Sequence, residues 1–215
     1  MERIIIALDG PAGAGKSTIA KMIAQIKNLL YIDTGAMYRA ITLKMINTGV
    51  FVEDIDAINQ LLNNTVIEMT ETDIFLDGEI VTFDIRHPKV SNLVSSIAKV
   101  PSVREKMVKL QRRMAAHNNV IMDGRDIGTN VLPNATHKFF LTASLSERSK
   151  RRYDELISKG HSFTLEDIRA EMENRDKIDS EREINPLCKA IDAIVVDTTN
   201  KTIDEVILNI LSYIQ

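Results

Sequence analysis

The stretch Gly10-Pro11-Ala12-Gly13-Ala14-Gly15-Lys16-Ser17 combines residue types and spacing that point directly to chemistry. It fits the pattern G-x-x-x-x-G-K-[ST] and lies between an apolar run at residues 4–8 and a helical pattern, the context such a loop requires. Glycines at these places let successive backbone N–H groups point into one concavity, which binds phosphate oxygens. The helix starting near Ser17 adds its positive N-terminal end. Lys16 is then placed to bridge the β- and γ-phosphates of a nucleoside triphosphate, and the Ser17 hydroxyl to ligate Mg2+. Thr18 continues the junction and joins residues 10–17 as a candidate ATP contact. An incidental glycine-rich turn is not expected to satisfy the motif and both flanks together.

Such a loop does not say where the phosphate goes. A GTPase switch, an ATPase motor and a small-molecule kinase all use one. A guanine-reading Asn-Lys-x-Asp is approached by Asn200-Lys201-Thr202-Ile203, but Ile stands where Asp belongs, and Thr202 is better used as a helix cap. A motor is usually longer or carries oligomer-facing arginines, which are not recognisable here. A kinase with an acceptor-binding insert fits best.

Three further clusters are more polar than packing alone would favour: Asp33-Thr34-Gly35-Ala36-Met37-Tyr38-Arg39, Asp123-Gly124-Arg125-Asp126-Ile127-Gly128-Thr129, and Asn174-Arg175 through Asp179 to Arg182. In the third, Arg175, Asp179 and Arg182 follow helical spacings of four and three. Arginine suits phosphate binding because its planar fork engages oxygens in pairs and stays charged. On the residues alone, Arg148, Arg151 and Arg152 are equally readable as a solvated helix face. His87, His117, His137 and His161 have no partner at metal-ligand spacing, and Cys188 is the single cysteine.

Parallel strands and the helices between them must position these groups. Apolar runs at 3–8, 29–32, 120–122, 138–141 and 193–196 alternate with helical patterns, and several end in a polar or Gly-rich turn. Ligands of open parallel sheets collect at the carboxyl ends of the strands, where these turns lie. Ile203, Val206, Ile207, Ile210, Leu211 and Ile214 form the apolar stripe of a last helix, opened by the capping pair Thr202 and Glu205. Ser144 with Glu147 opens another helix in the same way, and Thr164 with Asp167 is a weaker match. Between Thr65 and Phe83 the pattern changes to short strands at 66–69, 74–76 and 79–81, with Asp77-Gly78 as a tight-hairpin signal. Helical segments at 89–98 and 103–116 follow.

The chain of 215 residues is 44% apolar and 27% charged, with a net charge of −3, as expected of one globular enzyme domain. That acidity argues against a surface built to neutralise long nucleic-acid backbones. No run approaches the roughly 18 apolar residues of a membrane span, and the N-terminal run reads as a strand rather than a signal peptide. A cytoplasmic monomer is expected, with no nucleic-acid and no membrane partner.

Together the 33–39, 123–129 and 175–182 clusters resemble the bacterial cytidylate kinases, members of the nucleoside-monophosphate kinase group of P-loop kinases. The resemblance spans the chain, including Ile184-Asn185-Pro186-Leu187 and Asp197-Thr198-Thr199. It implies an α/β P-loop kinase fold: a five-stranded parallel sheet with helices on both faces, an antiparallel acceptor-binding insert and a lid. In this single kinase domain the core would be 1–60, 100–150 and 183–215, the insert about 61–99 and the lid about 151–182. The implied substrates are ATP and CMP or dCMP, with Mg2+ as cofactor. Thr34, Arg39 and Arg125 would hold the acceptor's phosphate. Ser95, Arg104 and Asp126 would read the cytosine, and Asp179 with Arg175 would contact the ribose. Arg182 would sit near the transferred phosphoryl, acting with Lys16 and Arg125. Arg148, Arg151 and Arg152 would close on the ATP phosphates, and Asp33 and Asp123 would hold metal-bound water.

The base assignment has its own chemical support. Cytosine offers an amino donor where uracil has a carbonyl, and a carboxylate accepts from that amino group. Asp126 therefore favours cytosine. An acceptor such as UMP or another small hydroxyl compound, and a non-enzymatic RNA-binding switch, are the competing readings.

Overall fold

The computed structural model describes residues 3–70 and 72–214. By its internal contacts the chain divides into two compact units, one comprising Met1–Tyr31 with Asn118–Gln215, the other Ile32–His117.

The first unit is organised around β1 (Ile5–Asp9), whose Ile-Ile-Ala-Leu run has both faces covered. It pairs in parallel with β6 (Val120–Gly124), from Ile5 opposite Val120 to Asp9 opposite Gly124, and with β7 (His137–Thr142) on its other side. β8 (Ile194–Asp197) extends the sheet beyond β7, and β2 (Leu30–Asp33) lies beyond β6, giving the order β2-β6-β1-β7-β8. All five expected parallel strands are present. The 33–39 and 123–129 clusters begin at the carboxyl ends of β2 and β6, and the 175–182 cluster lies in the last turns of a helix and its C-cap. α1 (Lys16–Lys27) and α8 (Ile203–Leu211) bury Ile19, Ile23, Val206 and Ile210 against Ile6, Leu8, Phe139 and Val196 of the sheet. α6 (Leu145–Ser158) and α7 (Leu165–Glu181) form a hairpin with a small core of its own, Leu156, Ile168 and Met172.

The ranking of the helix starts is reversed in the structure. Ser144 does accept from the Glu147 N–H, but the Glu147 carboxylate turns to Arg151, one helical turn on, at 3.0 Å. Thr164 and Asp167 instead form the complete reciprocal box at the start of α7. Thr164→Ala is accordingly expected to cost about 1 kcal/mol, more than Ser144→Ala, as read from urea denaturation midpoints.

The second unit contains α2 (Thr34–Thr48), α3 (Ile55–Asn63), the strands β3 (Ile67–Met69), β4 (Ile74–Leu76) and β5 (Glu79–Ile80), then α4 (Pro88–Ile97) and α5 (Pro101–Ala115). The strands form the expected antiparallel sheet, β3-β4-β5. Asp77 and Gly78 both have positive φ, 53° and 89°, the geometry of a two-residue primed turn. Asp77 also accepts from the Val66 N–H and pairs with Lys44, which ties the hairpin to α2. Among the described residues no helix is long and apolar enough to cross a membrane.

Candidate active site

The phosphate loop leaves β1 at Gly10, where φ is 144° and a Cβ would fall 2.0 Å from the carbonyl oxygen of Leu141 on β7. Only glycine passes there. At Gly13 a Cβ would come within 2.8 Å of Cε of Met172 and 3.1 Å of Arg148, so the α6–α7 hairpin lies directly on the loop.

That hairpin also fastens the loop. Arg148 donates from Nη1 to the Ala12 carbonyl (3.1 Å) and from Nε to the Ala143 carbonyl (3.0 Å), and it pairs with Asp176 at 2.7 Å. Thr198 donates to the Ala14 carbonyl and is itself gripped by Arg151, through its hydroxyl at 3.0 Å and its carbonyl at 2.7 Å. Arg148 and Arg151, expected at the triphosphate, bond to the loop itself, Arg148 at Ala12 and Arg151 by way of Thr198. Arg152 pairs with Glu155 at 2.8 Å.

Lys16 is buried, and its ammonium donates to the Pro11 carbonyl at 2.7 Å. Burial first, and then the charge of Arg125, hold its pKa well below the ordinary lysine value, while Asp123 pulls the other way. Ser17 donates to Asp123 at 2.9 Å, and the Tyr31 hydroxyl donates to the other Asp123 oxygen at 2.9 Å. Tyr31 was not legible as a site residue. Its strand position predicts packing, and only the pairing order of the sheet brings it to Asp123.

Two ion pairs, one buried and one part-buried, bring the later clusters together. Arg182 donates to Asp126 at 3.0 Å, with side chains only 4% and 7% exposed, and also to the Asn185 carbonyl at 2.6 Å. Arg125 donates to Asp179 at 2.9 Å. Burial works to raise the Asp179 carboxyl, but Arg125, Arg175 and Arg182 outweigh it and hold the group below its usual range. The charge of Arg175 is felt at both Asp179 and Lys16. Arg182 does not continue α7 as the helical spacing suggested. It is the C-cap residue, with extended backbone (φ −63°, ψ 140°), and this turn lets its guanidinium reach Asp126.

In the second unit, Asp33 caps α2 by accepting from the Ala36 N–H at 2.8 Å and meets Arg86 at 3.3 Å, so both of its oxygens are engaged. Thr34 is buried in the first turn, and the Arg39 guanidinium lies over Gly35, 3.0 Å from where a Cβ would stand. A hydroxyl, an arginine and a helix N-terminus thus meet at one place, the combination that binds a phosphate. Ser95 on α4 and Arg104 on α5 are buried, and Arg104 donates to the Ala98 carbonyl at 3.3 Å.

The family profile described as cytidylate kinase matches residues 6–215. A cytidylate kinase of Clostridioides difficile (strain 630) is 50% identical over 100% of this chain and 99% of its own length. One of Geobacillus sp. (strain WCH70) is 52% identical over 98% and 96%. A solved shikimate kinase from Bacteroides thetaiotaomicron, 12% identical and covering 99% of both chains, superposes with a TM-score of 0.52, a likeness of fold alone. With its phosphate loop, its paired arginines and carboxylates, and a profile match from the first strand onward, this chain belongs to the cytidylate kinase family.

Proposed function

We propose that this enzyme transfers the γ-phosphoryl group of ATP to CMP or dCMP, giving ADP and CDP or dCDP. An oxygen of the acceptor's phosphate forms the new P–O bond, and the bond to the β-phosphate oxygen breaks in line with it. Such transfers pass through a loose transition state, so positioning and neutralisation of charge provide most of the catalysis. Lys16, Arg125 and Arg182 are the neutralising groups, and residues 10–18 hold the donor. On the acceptor, Thr34, Arg39 and Arg125 take the phosphate, Ser95, Arg104 and Asp126 the base, and Arg175 with Asp179 the ribose.

The observation that carries this reading is the buried Arg182–Asp126 contact at 3.0 Å. It joins the group assigned to the transferred phosphoryl with the group assigned to the cytosine amino group.

Mg2+ suits the oxygen donors at the loop. Ser17 and Asp123 lie 2.9 Å apart, and a small hard cation takes one or two such ligands together with waters and phosphates. When bound, it supplies further neutralisation of the β- and γ-oxygens. Asp33, already committed to Ala36 and Arg86, is less suited. Among the described residues no group of three or more His, Cys, Asp or Glu could hold a metal, consistent with a cation that arrives with the nucleotide. Closure of the lid, about 151–182, over the donor would keep water from the γ-phosphate.

The test is ADP release with CMP, dCMP, UMP, AMP and shikimate as acceptors. CMP and dCMP should give the highest kcat/KM. Turnover of UMP equal to that of CMP would refute the cytosine assignment, and slow hydrolysis unaffected by any acceptor would favour a switch.

A further inference from the structure

Asp9 is a buried carboxylate to which the phosphoryl transfer described above gives no role. It is the last residue of β1, opposite Gly124 at the end of β6. Beyond this point the two strands separate, β1 into the phosphate loop and β6 into the segment bearing Arg125 and Asp126. One Asp9 oxygen accepts from the Ile127 N–H and the other from the Gly128 N–H, each at 2.8 Å. Asp9 is 4% exposed, Asp126 5% and Ile127 1%, so water does not compete for these bonds. At Gly128 a Cβ would lie 3.4 Å from the Asp9 carboxylate and 3.2 Å from Cδ of Lys138, so the carboxylate packs closely against this peptide. The clamped peptides open a π-helical turn, Ile127–Val131, in which the Asp126 carbonyl accepts from Asn130 and Val131. The backbone on the C-terminal side of Asp126 is therefore held from both directions.

We infer that Asp9 is a positioning residue: by clamping the Ile127 and Gly128 peptides it sets the Asp126 carboxylate and the Arg125 guanidinium relative to the phosphate loop. The inference rests on the assignment of Asp126 to the cytosine. Burial pushes the Asp9 carboxyl up to about 6, a rise held back by the Gly128 and Ile127 N–H groups and by Lys16. The group is poised against its surroundings, and the two donated N–H bonds are what keep its charged form in place.

Asp9→Asn keeps the shape but accepts at one oxygen only, and its amide N–H2 faces the second backbone donor. The expected result is a fall in kcat/KM for CMP of about tenfold, a smaller CMP-to-UMP preference, and an unchanged KM for ATP. A residue that merely supported the fold would lower the melting temperature and leave the CMP-to-UMP ratio intact. That ratio unchanged, or equal losses for ATP and CMP, would overturn the proposal. Asp126→Ala, assayed alongside, separates the two levels of the argument. If it leaves the ratio unchanged, the base assignment fails and the inference with it. If it abolishes the ratio while Asp9→Asn preserves it, the positioning role alone fails. Should Asp9→Asn not fold, Asp9→Ser, which retains one accepting oxygen, carries the same expectation.

Discussion

Lys16→Met should lower kcat by roughly 10²–10³-fold while raising the melting temperature. The loss follows from the place of the ammonium in the phosphate loop, where only a charge can neutralise the β- and γ-oxygens. The gain in stability follows from its electrostatics. A lysine whose pKa falls on folding is more costly to keep charged in the native state than in the unfolded chain, so at neutral pH it subtracts from stability. Burial contributes most to that cost and Arg125 adds repulsion. Methionine has nearly the same length and removes both. Steady-state kinetics together with a thermal melt check the pair of outcomes. A lower melting temperature would mean that attraction to Asp123 and Asp9 exceeds the cost of burial.

Asp126→Ala is expected to raise the KM for CMP about 10- to 100-fold with little change in the KM for ATP. It should also destabilise the protein, because it leaves Arg182 buried without its carboxylate. Removing one member of a buried ion pair typically costs about 3–5 kcal/mol. The retained bond from Arg182 to the Asn185 carbonyl argues for the lower end. Asp126→Asn separates the two effects. Its amide oxygen still accepts from Arg182, so stability should largely return, but an amide can serve either a cytosine amino group or a uracil carbonyl. Discrimination between CMP and UMP should therefore narrow while the denaturation midpoint recovers. Equal losses for CMP and ATP in Asp126→Ala would remove Asp126 from base reading.

What the sequence made legible were features encoded locally. The glycine–lysine–serine loop, the apolar strands, the Asp77-Gly78 hairpin and the apolar stripe of α8 each depend on residues within a few positions of one another, and each stands where expected. The strand ends moved because a ladder ends where its partner does: β1 reaches Asp9 because Gly124 faces it. Features that depend on distant partners were not readable. Asp9 ends a strand, and its partners at 127 and 128 are more than a hundred residues away. Tyr31 meets Asp123 only because β2 and β6 are neighbours in the sheet. The bonds of Arg148 to Ala12 and of Arg151 to Thr198 likewise join residues far apart in sequence. Even the capping pairs were ranked wrongly, since the sequence pattern could not show Arg151 drawing Glu147 away.

The division of the first unit along the chain also bears on how the protein is made. Residues Ile32–His117 form a continuous stretch that can complete its own contacts as soon as it is synthesised. β1 cannot: its partners are β6 and β7, and closing Ile5 onto Val120 spans more than a hundred residues. Such long-range pairing slows folding. The last fastener of the phosphate loop, Thr198 on the Ala14 carbonyl, is 184 residues further along. A nascent chain therefore carries the glycine–lysine–serine motif long before it has a nest for a triphosphate. A chain that stops short of Thr198 lacks one of the bonds that hold the phosphate loop.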